Sequence, residues 1–139
     1  MTLGPAHTVT PDKQELSLSI SVGGVSMANK VAVVSGSTET WDFTLEVDGS
    51  AYNYTGYTSL TLRRKRYPDG RLDSTTTAGL LSVLSASAGT FRLSPDDAWW
   101  SKSADYYDLE VAVVLSGKTV VFPDPANGPL RVEVSKGLV

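Results

Sequence analysis

Apolar and polar residues alternate along much of this chain with a period of two rather than 3.6. Such alternation marks strands with one buried and one solvated face. In Leu16–Val22, Leu16, Leu18, Ile20 and Val22 share one face and Ser17, Ser19 and Ser21 the other; Gly23-Gly24 ends the run. Lys30–Val34 is a second short β run, closed by Ser35-Gly36-Ser37. Thr40–Val47 sets Trp41, Phe43, Leu45 and Val47 against Asp42, Thr44 and Glu46. Asp48-Gly49 follows as a hairpin signal, and Ser50–Tyr54 returns as a short strand. Beyond Gly56, Ser59–Arg66 is the next strand, with Leu60 and Leu62 inward. Tyr67-Pro68-Asp69-Gly70 then turns the chain, since proline presets φ and glycine accepts positive φ.

The second half continues the pattern. Leu72–Gly79 is polar, and its Thr75-Thr76-Thr77 run fits a loop or an edge strand. Leu80–Leu84 and Gly89–Leu93 predict two strands around a Ser85–Ala88 turn. Ser94-Pro95-Asp96-Asp97 has the grammar of a helix start: a serine cap, proline at the first position, then carboxylates at the positive dipole end. It predicts one short helix through Ala98–Ser101. Asp105–Leu115 is the clearest core strand, with Tyr107, Leu109, Val111, Val113 and Leu115 on one face. Ser116-Gly117-Lys118 turns it into Thr119–Phe122. Pro123–Pro129 is a proline-rich loop, and Leu130–Val134 is the last strand. Short strands with turn signals every roughly 8–12 residues predict an all-β, antiparallel sandwich or barrel. The sandwich occupies residues 16–139, and Met1–Glu15 is a polar arm carrying Pro5 and Pro11, either flexible or docked on a neighbouring chain.

Composition narrows the chemistry. The 139 residues include no cysteine and a single histidine, with 12 Lys+Arg against 15 Asp+Glu and a net charge of -3. Without cysteine there is no disulfide framework, thiolate metal site or cysteine nucleophile. One histidine leaves little from which to build a zinc site or a catalytic triad. The acidic balance argues against nucleic acid as a partner. Met1–Val9 lacks the basic run and apolar core of a signal peptide. The longest apolar run, in Val111–Leu115, is far short of the roughly 18–20 residues of a membrane helix, so no membrane partner is expected and the protein should be soluble.

Each candidate site has a plainer reading beside it. His7 in the arm has only Asp12 and Glu15 near it in sequence, and reads as a solvated histidine rather than a metal ligand. Arg63-Arg64-Lys65-Arg66 is the one basic run. Strand geometry divides it, with Arg63 and Lys65 on one face and Arg64 and Arg66 on the other. Its four charges could meet phosphates or a membrane surface; protection of a sheet edge or contact with an acidic protein surface fits better. Asp96, Asp97, Asp105, Asp108 and Glu110 could suggest glycosidase or calcium chemistry, but their spacing matches no calcium loop. Asp96 and Asp97 suit a helix start, and Asp108 and Glu110 the outward face of a strand. Trp99-Trp100 with Tyr106-Tyr107 could form a sugar-stacking platform. They could equally plug the core or make a subunit contact, with at most one tryptophan fully buried because neighbours on a helix diverge. Tyr52, Tyr54 and Tyr57 border Gly56 as a candidate interface ridge. Neither a phosphate-binding glycine loop nor a serine nucleophile elbow is present, so no catalytic, cofactor or metal site is expected.

With the strands in place, the segment from about Lys30 to Val134 resembles the immunoglobulin-like N-terminal domain of bacteriophage baseplate upper proteins and related small phage virion proteins. The resemblance rests on Gly36-Ser37-Thr38 leading into Trp41–Val47, then Asp48-Gly49, Tyr54-Thr55-Gly56 and the basic-ended strand Ser59–Arg66. It continues through Gly89-Thr90-Phe91, Ser94–Trp100, Ala104–Val111, the Gly117-Lys118 hairpin and the closing strand Leu130–Val134. It implies an immunoglobulin-like sandwich with one short helix, and a structural role in a virion assembled in the bacterial host cytoplasm. The partners would be other virion proteins in a homo-oligomer or lattice, contacted through Trp99, Trp100, Tyr52, Tyr54, Tyr57 and the Arg63–Arg66 run. Baseplate or tail attachment and capsid decoration both fit it. A carbohydrate-binding or adhesin module, with a host glycan as ligand, is the alternative from a different class.

Overall fold

The structure, a computed structural model, describes residues 15–22, 25–27, 31–124 and 128–136. The described strands are β1 (Leu16–Val22), β2 (Val25–Met27), β3 (Val31–Val34), β4 (Trp41–Val47), β5 (Ser50–Ala51) and β6 (Ser59–Tyr67). They continue with β7 (Leu72–Thr76), β8 (Leu81–Ser85), β9 (Thr90–Leu93), β10 (Tyr106–Leu115), β11 (Lys118–Phe122) and β12 (Leu130–Ser135). One sheet runs β2-β1-β4-β9-β8, with β5 on β4. The other runs β3-β12-β10-β6-β7, with β11 on β10. All pairs are antiparallel except β3 with β12. The protein is therefore all-β, and the two sheets share one core.

Alternation explains that core. Trp41, Phe43 and Leu45 of β4 are buried while Asp42, Thr44 and Glu46 between them are not. In β10, Tyr107, Leu109, Val111 and Val113 are fully buried. The rings of Phe43 and Phe91, opposite each other in register, stack at 4.9 Å. Leu60 and Leu62 of β6 and Val132 of β12 complete the second sheet's contribution. The turns match their residues: Asp48 (φ 52°) with Gly49 (φ 82°), and Ser116 (φ 53°) with Gly117 (φ 75°), give the paired positive angles a two-residue hairpin needs.

Two details depart from the sequence expectations, a third adds a strand to them, and a fourth decides between two readings. No helix occurs among the described residues; Asp97–Trp99 is a turn. The carboxylate of Asp96 takes the Ala98 N–H at 3.1 Å. The Trp100 carbonyl accepts from Gly36 N at 2.8 Å, and Ser101 N donates to the Tyr107 hydroxyl at 3.1 Å. The groups a helical ladder needs are thus committed elsewhere. Secondly, only Ser50–Ala51 of the expected Ser50–Tyr54 strand pairs. The chain then crosses towards the turn before β9, where Tyr54 N donates to Ala86 O. Gly89 sits in that crossing, and a Cβ there would lie 2.7 Å from Leu45 O and 2.8 Å from Tyr52 O. Thirdly, β1 ends at Val22 as the double glycine predicts, but an unexpected strand, β2, pairs back on it. Lastly, the polar Leu72–Gly79 segment resolves as an edge strand, β7, whose buried Thr75 accepts Leu80 N at 2.9 Å as the chain passes to the other sheet. Of the predicted arm Met1–Glu15, residues 1–14, with His7 among them, lie outside the described residues; Glu15 is tied to Asp48 through two backbone-donated bonds of 2.8 Å.

Candidate functional site

The basic run is divided by the strand that carries it. Arg64 follows Leu60 and Leu62 in parity and turns towards the core, its side chain only 11% exposed. Its guanidinium lies 3.9 Å from the Trp99 ring centre and 4.9 Å from that of Tyr107. It also donates to the Trp99 carbonyl and, at 3.3 Å, to Asp73. This suits a planar, weakly hydrated cation, which stacks and forks at once. Arg66 binds the Asp69 carboxylate in the turn that follows. That pair holds Asp69 well below the usual carboxylate range, at about 2.

Around Arg64 the aromatics close one end of the core. Trp100 contacts Trp41 at 4.8 Å, Tyr107 at 5.6 Å and Trp99 at 6.2 Å between ring centres. Trp100 is 0% exposed and Trp99 5%. Only Trp100 is fully buried, in line with the expectation of at most one, but Trp99 is nearly so and is not left exposed for a subunit contact. Their indole N–H groups have no acceptor among the described residues, so they act here as apolar volume. A sugar-stacking face needs exposed rings, and these two do not supply one.

Tyr54 is also 0% exposed; its hydroxyl donates to the Thr90 carbonyl at 2.8 Å. Burial, and secondarily the neighbouring Tyr57, pushes its ionisation up to about 12. Tyr52 and Tyr57 are half-buried, Tyr52 packing on Phe122 at 5.2 Å and Tyr57 on Tyr54 at 5.3 Å. The expected tyrosine ridge is thus largely folded into the core.

What remains at the surface is the outer face of the second sheet. Register sets Arg63 opposite Glu110, Lys65 opposite Asp108 and Tyr67 opposite Tyr106. On the other side of β10, Arg131 stands opposite Asp108. Arg63 meets Glu110 at 3.1 Å, and Arg131 grips Asp108 through two bonds of 3.0 and 3.3 Å. Tyr67 and Tyr106 stack at 4.7 Å, with the Arg131 guanidinium 4.0 Å from the Tyr106 ring and Lys65 Nζ 5.4 Å from that of Tyr67. Lys65 has no carboxylate partner among the described residues. Beside it in register is Leu72, 73% exposed. Arg63, Lys65, Tyr67, Leu72, Asp108 and Glu110 line a groove of 390 Å³.

The structure therefore brings together Arg63 and Lys65 of the sequence candidates, and sends Arg64, Trp99, Trp100 and Tyr54 to the core. Asp108 and Glu110 are outward, as expected, and are held by arginines. Asp97 lines a different depression with Ser35, Gly36 and Lys102. Among the described residues no group of three or more His, Cys, Asp or Glu side chains could hold a metal ion. Nor is any helix among them long and apolar enough to cross a membrane. The sequence reading missed Leu72 and the Tyr67–Arg131 side of the face. The available signal was Leu72 itself, an isolated large apolar residue at the head of a polar run.

No protein-family model and no curated protein matches this chain. Its function is accordingly argued from the fold and this face.

Proposed function

We propose that this chain is an immunoglobulin-like β-sandwich that serves as a structural component of a phage virion, acting by protein–protein contact and not by chemistry. The strand order supports the fold type. β1-β4-β9-β8 corresponds to A-B-E-D, and β12-β10-β6 to G-F-C with β7 added as C′. Tyr107, near the start of β10, has its hydroxyl bonded to the backbone six residues upstream, as in the tyrosine corner of such domains. The sequence resemblance to phage baseplate upper proteins supports the setting, in which tail attachment and capsid decoration are both structural roles.

The observation that carries a contact role is the outer face of the second sheet. It combines ordered ion pairs, a tyrosine stack and an exposed leucine beside a groove. These are features of a surface made to meet another surface. Immunogold electron microscopy with an antibody to this chain tests the proposal on purified phage particles from the host culture. Label on the particles, at the tail end or over the head, is the expected result; a chain confined to the soluble fraction would overturn it.

A further inference from the structure

From the geometry of the groove we infer that the outer face of the second sheet is a homotypic contact: its occupant is the same face of a second copy of this chain. The inference rests on the structural role proposed above and names the partner of that surface.

Three observations point to a second copy. The first is shape. Leu72 is the most exposed of the large apolar side chains among the described residues, at 73%, ahead of Val34 at 54% and Leu84 at 45%. It lines both the 390 Å³ groove and a second depression of 250 Å³ formed with Arg63, Asp73 and Ser74. An apolar knob therefore stands directly beside a hollow of a size to receive one. A knob and a hollow side by side on one face become mutually complementary under a two-fold axis, each leucine entering the other copy's groove.

The second observation is charge. The groove is walled by Arg63, Arg64 and Lys65 and by Asp108 and Glu110, both signs on adjacent strands. A partner carrying a single sign of charge meets like charges on such a surface, whereas a second copy brings both signs to the contact. Lys65 lies opposite Leu72 in register, so it enters the partner's groove with the leucine and meets Glu110. That carboxylate is 41% exposed and free to take a second cation beside Arg63.

The third observation is the neighbouring edge. β7 presents Asp73 next to Leu72, and Arg64 and Arg71 hold its carboxylate at 3.3 and 3.5 Å. A charge clamped on an edge strand opposes addition of another strand there. Contact through Leu72 is thus face to face and not edge to edge.

The groove has far fewer lining residues than the roughly 20–30 a side of a standard stable interface, so the pair should be weak in solution and gain from repetition in an assembly. Sedimentation velocity of the full chain from ~5 to ~500 μM, the range that reports micromolar to submillimolar affinities, tests it. The expected result is concentration-dependent dimerisation that Leu72→Ser weakens ten-fold or more and that Lys65→Glu, which faces Glu110 with a like charge, also weakens. Both side chains are at the surface, and unchanged denaturation midpoints will show that the variants fold. A wild-type monomer throughout that range, or a dimer indifferent to both substitutions, overturns the inference. A monomer that still labels particles removes only the homotypic contact and leaves the structural role standing.

Discussion

Arg64 and Lys65 are consecutive in β6 and face opposite sides of one sheet. On the inner side, Arg64 is enclosed by Trp99 and Tyr107 and bonded to a carbonyl and a carboxylate. On the outer side, Lys65 rests near the edge of a ladder of exposed ion pairs and has no carboxylate partner among the described residues. Two neighbouring cations of one basic run thus do two jobs. A cation packed between aromatic rings contributes through contact area and desolvated hydrogen bonds. One at the surface contributes little to stability and is available for a partner.

The comparison predicts a steep gradient of mutational cost across the sheet. Trp100→Ala, at the centre of the inner aromatic cluster, should cost about 3–5 kcal/mol of unfolding free energy; a loss under 1 kcal/mol in urea denaturation would place that ring outside the core. Arg64→Ala should cost about 2 kcal/mol, through lost packing and the stranded Trp99 carbonyl. Arg64→Lys should recover only part of it, because an ammonium neither stacks nor forks. On the outer side, Arg63→Ala and Lys65→Ala should each change stability by less than about 0.5 kcal/mol, and a larger effect would erase the contrast.

Two titrations sharpen it further. Tyr54, buried against Thr90, is raised to about 12, whereas a tyrosine in the unfolded chain ionises near 10. A raised folded value means stability present below pH 10 that is lost as pH rises towards 12. In an alkaline absorbance titration the last phenol to ionise should disappear in Tyr54→Phe. The smallest effect belongs to Asp42, lowered chiefly by its hydrogen bond from Arg92, at 2.7 Å on the outer face of the first sheet. Its stabilisation is present above the unfolded value of 3.8 and is lost as pH falls through the folded one. Asp42→Asn should flatten the acid limb of the stability profile slightly.

How far the sequence spoke for the fold depended on whether local pattern or distant partners decided a residue's fate. β4 and β10 were legible because each alternates strictly and each buries one face. The Asp48-Gly49 and Ser116-Gly117 turns were legible because few residues accept positive φ. The division of Arg63–Arg66 followed from strand parity alone. The Ser94–Ser101 segment was not legible. Its helix-start residues are present, but bonds to Gly36, Arg64 and Tyr107, far off or across a turn, take the backbone groups first. Tyr54 was misplaced for a similar reason: its neighbours Tyr52 and Tyr57 suggested a ridge, while its own hydroxyl found Thr90 across 36 residues. Aromatic clustering marks both cores and interfaces, and only three-dimensional packing separates them. Leu72 went unremarked because a single exposed leucine carries no period.

The central claim is that the tryptophans and Tyr54 belong to the core, and that contact with a partner falls on the outer face of the second sheet. Hydroxyl-radical footprinting of the dilute chain and of its assembled form tests this most directly. The account predicts that Trp99, Trp100 and Tyr54 react little in both states, while Leu72, Tyr67 and Tyr106 react in the dilute chain and become protected on assembly. Tryptophans that react freely in the dilute chain and are shielded on assembly, with Leu72 unchanged, would contradict it.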